Sequence, residues 1–127
     1  MTPAEMVDEF NRAFGIQTRE TPGLPTGDVE ALRSELIREE YEEWTLANED
    51  GDIVAMAREL ADLVYVVYGT AFAYGINLDA VIAAIHQANM RKLGPDGKPV
   101  WREDGKLMKP KGWVPADVAS VLGLGEL

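Results

Sequence analysis

Cysteine is absent from this 127-residue sequence, and histidine occurs only once. The absence of cysteine excludes a disulfide scaffold and any metal site with thiolate ligands, and it fits a reducing compartment. A metal site in this chain must therefore draw chiefly on oxygen ligands. The length predicts one domain that is large enough to bury a single core.

Long apolar runs are also missing. The most apolar stretch, residues 60–76, is slightly short for a membrane span and contains Asp62. The first 15 residues carry Glu5, Asp8 and Glu9 and lack the apolar core of a signal peptide. We therefore expect a cytoplasmic protein that does not associate with membranes.

Basic side chains are scarce: the sequence has 12 Lys and Arg residues against 22 Asp and Glu residues, which gives a net charge of −10. Such a surface repels nucleic acid, so no nucleic acid polymer is expected as a partner. The charge is uneven: residues 1–88 hold 17 acidic and 5 basic side chains, whereas residues 89–111 hold 7 basic and 3 acidic ones. This division suits a site that holds cations on one side and phosphates on the other, although chance clustering on a solvated surface explains it equally well.

Helix signals recur along the first three-quarters of the chain. Thr2 and Glu5 form a capping box, Asp28 and Asn77 can each cap a helix, and Gly75 can end one. Two Asp-Gly pairs after residue 94 are typical of a small hairpin or an irregular flap. The predicted helices span residues 3–14, 29–47 and 53–74, a fourth follows the cap Asn77 and continues to about residue 92, and a short last helix is possible near 116–122.

Four helices joined by short turns predict an all-α fold, namely a four-helix bundle. We expect a single domain over residues 1–127. Its helical core covers residues 3–93, and an irregular or hairpin-like basic arm and tail cover residues 94–127.

Carboxylates interrupt the apolar stripe of the second predicted helix. Glu40 and Glu43 are three residues apart and share one helix face, which Leu36 and Ala47 extend. Glu39 lies beside this stripe. An acidic run of this kind is also common on a solvated helix face, so the second helix alone leaves both interpretations open.

The third predicted helix carries the stronger signal, because Glu59 and Asp62 lie on a stripe otherwise made of small apolar residues. Burying ionised carboxylates without partners costs several kcal/mol or shifts their pKa. Four facing carboxylates need cations between them, and Arg38 and Arg58 are too few to neutralise them. Oxygen-only ligation favours Mg²⁺, with Mn²⁺ as the alternative, over Zn²⁺.

The two acidic motifs read EE-x-x-E at Glu39, Glu40 and Glu43, and E-x-x-D at Glu59 and Asp62. Their order and 20-residue separation resemble the signature of the all-α nucleoside triphosphate pyrophosphohydrolases. That superfamily includes MazG-like proteins, dimeric dUTPases and phosphoribosyl-ATP pyrophosphohydrolases. The sequence of residues 59–113, including the K-P-x-G-W segment that ends at residue 113, is similar to sequences of the MazG-like and phosphoribosyl-ATP-pyrophosphohydrolase-like branch.

The resemblance implies roles for the acids. Glu40, Glu43, Glu59 and Asp62 would bind Mg²⁺, and Glu39 would orient or deprotonate the attacking water. The metal would neutralise and position the triphosphate and activate the water.

The implied activity is hydrolysis of a phosphoric anhydride bond, which converts a nucleoside triphosphate such as dUTP to a monophosphate and pyrophosphate in nucleotide-pool house-cleaning. The alternatives are the phosphoribosyl-ATP pyrophosphohydrolase of histidine biosynthesis and a non-catalytic helical binding module. The presence of all five acids weighs against the last of these.

Three residues near the basic segment are candidates for substrate binding. Asn89 and Lys92 lie one turn apart on the fourth predicted helix and could reach phosphates or sugar. Lys109, on the following arm, could close over the phosphate tail. A structural or solvated role remains an open alternative for each.

An oligomer is expected because the third helix is so apolar that Val64, Val67, Phe72 or Tyr74 would need cover from a partner. The family resemblance implies a homodimer, or a tetramer built as a dimer of dimers.

Overall fold

A computed structural model describes residues 1–125, and these residues are helical apart from loops and one isolated β-bridge. The all-α prediction is confirmed. The elements, in chain order, are α1 (Pro3–Ala13), α2 (Gly27–Asp50), α3 (Ile53–Ala73), α4 (Leu78–Met90) and the short α5 (Val118–Val121).

The predicted bounds agree with the structure except around α2 and at α5. The second helix begins after Thr26 rather than after Asp28, and it continues through residues 48–50, which were expected to be a turn. It ends only where Gly51 adopts the left-handed conformation at φ 68°. The last helix is shorter than the predicted 116–122, because Asp117 accepts the Ser120 amide and thereby caps it.

The described chain forms two compact units, one of residues 1–78 and one that begins at residue 79. The single domain over 1–127 stays a prediction, and residues 126–127 of that range lie outside the described residues. Among the described residues, no single helix is long and apolar enough to cross a membrane, although α3 and α4 pass the length and composition criteria as a bent pair.

In the first unit, α2 and α3 pack against each other in opposite directions. Arg33, near the start of α2, donates to the carbonyl of Val66 at 2.7 Å and to the hydroxyl of Thr70 at 3.0 Å, near the end of α3. Helix α1 packs on α3 as well, where Phe10 meets Tyr65 edge to face at 5.7 Å. This antiparallel pairing brings the middle of α2 opposite the first half of α3.

The close approach of Arg33 depends on the small residue Gly69. A Cβ built at that position would lie 2.4 Å from Nη2 of Arg33. Burial lowers the pKa of the Arg33 guanidinium, and its hydrogen bonds to α3 offset part of the desolvation.

We expect Gly69→Ala to lower the free energy of unfolding by about 1–3 kcal/mol, because the methyl group displaces the guanidinium from its two acceptors. Denaturant unfolding measures the effect. Gly27→Ala is the matched control, since nothing lies within 4 Å of a Cβ there, and it should be neutral or slightly stabilising. If Gly69→Ala costs as much in an Arg33→Met background, the displaced guanidinium is not the cause.

The loop before α2 closes the C-terminal end of α3. The amides of Arg19 and Gly23 donate to the carbonyls of Phe72 and Tyr74, each at 3.0 Å. These bonds satisfy acceptors that a helix end leaves unpaired.

The second unit contains the predicted hairpin-like arm. Trp101 and Leu107 form an antiparallel bridge, and the amide of Arg102 donates to the carbonyl of Lys106 at 2.8 Å. Gly105 supplies the left-handed turn residue at φ 86°. The second Asp-Gly pair therefore marks a real turn, as the sequence predicted.

Candidate active site and metal centre

Three carboxyl groups converge where α2 faces α3. Glu40 and Glu43 are one turn apart on α2, and Glu59 lies opposite them on α3. Each offers a carboxylate oxygen, and these three oxygens lie within 4.8 Å of one another. The helical spacing on α2 and the antiparallel packing of α3 together place them at one point.

Two of these carboxylates have an oxygen without a hydrogen-bond partner. Oε2 of Glu40 and Oε2 of Glu59 are both buried, and neither accepts a hydrogen bond from the part of the chain that the structure describes. Buried polar atoms in native proteins are almost always paired, and an unpaired buried charge is especially costly. Two buried acceptors without partners in one cluster therefore fit a cation as their common partner.

The electrostatics of the cluster are unfavourable for ionised groups. Burial raises the pKa of Glu40 above its ordinary value, and the charges of Glu43 and Asp62 raise it further. Hydrogen bonding with the Glu43 carboxyl raises the pKa of Glu59, followed by burial and by the charges of Glu43 and Asp62. Arg58 opposes the shift at Glu59 but does not cancel it.

The other arginine near the motif is engaged elsewhere. Arg38 is paired with Glu35 and with Glu42, the latter at 2.7 Å, on the exposed side of α2. Its guanidinium therefore neutralises a surface pair of carboxylates. Among the described residues, Arg58 is a cation whose charge acts on the cluster, at Glu59.

The remaining two predicted acids, Asp62 and Glu39, differ in their relation to this cluster. Asp62 is exposed and is not one of the three converging groups, but its charge acts on both Glu40 and Glu59. Glu39 is exposed and also lies outside the three. The structure thus brings three of the five predicted acids together, with Asp62 close by.

The arrangement fits a hard divalent cation. Mg²⁺ bonds oxygen at about 2.0–2.1 Å, so ligands on opposite sides of one ion are about 4.2 Å apart. Three carboxylate oxygens within 4.8 Å of one another can surround such an ion after small side-chain adjustments. Glu40, Glu43 and Glu59 would hold it, and Asp62 would add charge or a further ligand.

The basic candidates lie in the second unit. Asn89, the second-to-last residue of α4, is exposed, and Lys92 and Lys109 both place their ammonium groups over the ring of Trp113. Sequence reasoning gave Trp113 no role. Its place in the K-P-x-G-W segment was the available signal, but nothing in the spacing showed that both lysines would meet at this ring.

A comparison with protein-family models matches residues 7–89 to phosphoribosyl-ATP pyrophosphohydrolase. The match covers more than half of the chain and includes every acid of the cluster. The chain belongs to the phosphoribosyl-ATP pyrophosphohydrolase family. A comparison with curated protein sequences finds no match.

Membership of this family makes the protein a pyrophosphohydrolase, an enzyme that hydrolyses phosphoric anhydride bonds, within the all-α nucleoside triphosphate pyrophosphohydrolase superfamily. The family is metal-dependent in general, in agreement with the acidic cluster. The family match ends at Asn89, so it does not extend to Lys92, Lys109 or Trp113.

Proposed function

We propose that the protein is a Mg²⁺-dependent nucleoside triphosphate pyrophosphohydrolase that releases pyrophosphate from a nucleotide such as dUTP and serves in nucleotide-pool house-cleaning. The observation that carries the proposal is the pair of buried, unpartnered oxygens on Glu40 and Glu59 within one carboxylate cluster. We place this activity in the cytoplasm, where nucleotide pools are maintained.

In the proposed reaction, water adds to a phosphorus of the α–β anhydride, the bridging bond breaks, and the products are a nucleoside monophosphate and pyrophosphate. Glu40, Glu43, Glu59 and Asp62 would hold the metal, which would supply charge neutralisation on the triphosphate and activation of the water. Glu39 is exposed and outside the three converging acids, so its carboxylate is available to orient the water and accept its proton.

The phosphates are the part of the substrate that the basic residues would bind. Lys92 and Lys109 are two ammonium groups gathered on one ring, in a chain whose net charge is −10. Asn89 lies one turn before Lys92 and can supply an amide donor to phosphate or sugar. Positioning and charge stabilisation are most of what phosphoryl transfer requires.

A second candidate substrate is phosphoribosyl-ATP, the substrate that the name of the matching family gives. Hydrolysis at the same anhydride would use the same acidic cluster. The two candidates differ at the base, because phosphoribosyl-ATP carries a second phosphoribosyl group on its purine and a nucleotide such as dUTP does not. An acidic cluster that would act through a metal at the phosphates does not distinguish between them.

Pyrophosphate release tests both candidates in one experiment. A panel of canonical and modified nucleoside triphosphates and phosphoribosyl-ATP is incubated with Mg²⁺ or with a chelator. We expect Mg²⁺-dependent release, with one nucleoside triphosphate turned over fastest. Turnover of phosphoribosyl-ATP alone supports the second candidate, and no release from a folded protein contradicts both.

We further propose a homodimer, or a tetramer built as a dimer of dimers. On α3, Leu60 is 47% exposed and Val64 is 48% exposed, which leaves apolar side chains in the middle of the helix uncovered within the chain. Light scattering should give a mass of two or four times 14.0 kDa. A mass of one chain at micromolar concentration contradicts the prediction.

A further inference from the structure

The indole of Trp113 is fixed at the C-terminal end of α4. The carbonyls of Gln87 and Asn89 accept the backbone amides of Arg91 and Lys92, each at 3.1 Å. Between them, the carbonyl of Ala88 accepts the Trp113 indole N–H at 2.8 Å. The indole therefore satisfies one of the acceptors that every helix end leaves open.

A second link joins the same two segments. The guanidinium of Arg91 donates to the carbonyl of Val114 at 3.3 Å. Val114 follows Trp113, and Arg91 lies three residues after Ala88. The segment around residue 113 is therefore held to the end of α4 by two hydrogen bonds. The ring of Trp113 is thus held in one orientation.

Two ammonium groups lie against this fixed ring. Nζ of Lys92 is 5.3 Å from the ring centroid and Nζ of Lys109 is 4.9 Å from it. Both distances are within the range of a cation–π interaction. Lysine side chains are otherwise flexible. Contact with this one ring therefore restricts two lysines that lie 17 residues apart in the sequence.

Neither ammonium group forms an ion pair with a carboxylate among residues 1–125. The four ion pairs found among residues 1–125 all use arginine. Two like charges on one ring repel each other, and a chain with 22 acidic residues has many carboxylates to offer. Paired cations that remain free of carboxylates are suited to an anionic ligand that can bind both.

We propose that Trp113 is a positioning residue that holds Lys92 and Lys109 as a paired phosphate-binding site for the polyphosphate part of the substrate. This inference rests on the proposed function for the identity of the ligand. The two Nζ atoms are no more than about 10 Å apart. Ammonium groups that each contact a phosphoryl oxygen at about 2.8 Å can bridge a phosphate or a diphosphate across that gap.

Inorganic pyrophosphate is the probe, and its binding is measured by calorimetry with a chelator present so that the acidic cluster holds no metal. We expect Lys92→Met and Lys109→Met each to weaken binding about tenfold, as loss of a hydrogen bond to a charged group does. Lys98→Met is the matched control, because it removes the same charge from the same arm outside the Trp113 contact, and it should have little effect.

Two substitutions of Trp113 separate positioning from a purely structural role. Trp113→Phe keeps an aromatic face for the lysines but loses the hydrogen bond to Ala88, whereas Trp113→Leu loses both. Both should lower the thermal midpoint, but only Trp113→Leu should weaken pyrophosphate binding about tenfold, as loss of both lysine positions requires.

The proposal is overturned if Trp113→Leu binds pyrophosphate as the parent does, or if Lys98→Met weakens binding as much as Lys92→Met. If Trp113→Leu does not fold, the lysine variants and Trp113→Phe still decide the matter. Binding without metal does not involve the acidic cluster, so failure of hydrolysis in the substrate panel and failure of this site are distinguishable.

Discussion

Glu40→Gln is expected to reduce Mg²⁺-dependent pyrophosphate release at least about 100-fold, because even outer-shell partners of a metal cost 10–100-fold when removed. The same substitution should raise the thermal midpoint of the metal-free protein at pH 8. The two effects have opposite signs. A pyrophosphate-release assay and a melting curve in chelator measure them.

The two effects have opposite signs because one is measured with a metal in the cluster and the other without it. Without metal, ionised Glu40 is disfavoured first by burial and then by its acidic neighbours. A neutral amide of the same shape removes that repulsion, and its NH₂ group can donate to Glu43. With metal, the missing charge removes a ligand that the cation needs. A residue retained for structure alone would instead lose stability when replaced.

Glu49→Gln is the control for this experiment, since Glu49 lies on the same helix, is exposed, and is outside the three converging acids. It should change neither activity nor the thermal midpoint appreciably. Full activity in Glu40→Gln, or a fall in the metal-free midpoint, contradicts a metal-binding role for Glu40.

The helices, and the helix face that Glu40 and Glu43 share, could be predicted because both depend on local spacing. Capping residues and apolar periodicity located α1, α3 and α4 nearly to the residue, and the i, i+3 relation put Glu40 and Glu43 on one face. The end of α2 was misjudged because Asn48, Glu49 and Asp50 are typical turn residues, whereas the helix continues through them until Gly51 ends it in the left-handed conformation.

Features that depend on contacts across the chain could not be predicted. Nothing in the spacing of Glu59 and Asp62 said that Glu59 would converge with α2 while Asp62 stayed exposed at the margin. That choice depends on how α3 is rotated against α2. The contact of Trp113 with Ala88, 25 residues earlier, depends on the path of the arm, which periodicity does not specify.

Mg²⁺ is expected to raise the thermal midpoint of the parent protein strongly at pH 8 and little at pH 5. At about 100 times its Kd, a ligand that binds only the folded state adds about 2.7 kcal/mol to the free energy of unfolding. The stabilisation should fall as pH falls, because protons compete with the metal for carboxylates.

The metal-free protein should show the reverse dependence on pH. The pKa values of Glu40 and Glu59 are raised in the folded state, so between the unfolded and folded pKa values the folded state binds more protons than the unfolded state does. Stability therefore falls as pH rises through that window, and the repulsion is fully present above the raised values. Other carboxylates in the chain titrate oppositely, as Asp104 does through its pairing with Arg102.

The difference in thermal midpoint between the parent and Glu40→Gln separates the effect of the cluster from the effects of those other carboxylates. In chelator, the gain in thermal midpoint from Glu40→Gln should be largest above the raised pKa of Glu40 and should shrink as the pH falls through it, because the parent then takes up a proton at Glu40. With Mg²⁺ at pH 8 the order should invert, because only the parent retains all its ligands. A difference that is constant with pH, or that Mg²⁺ does not invert, shows that the cluster neither titrates nor binds the cation as a unit.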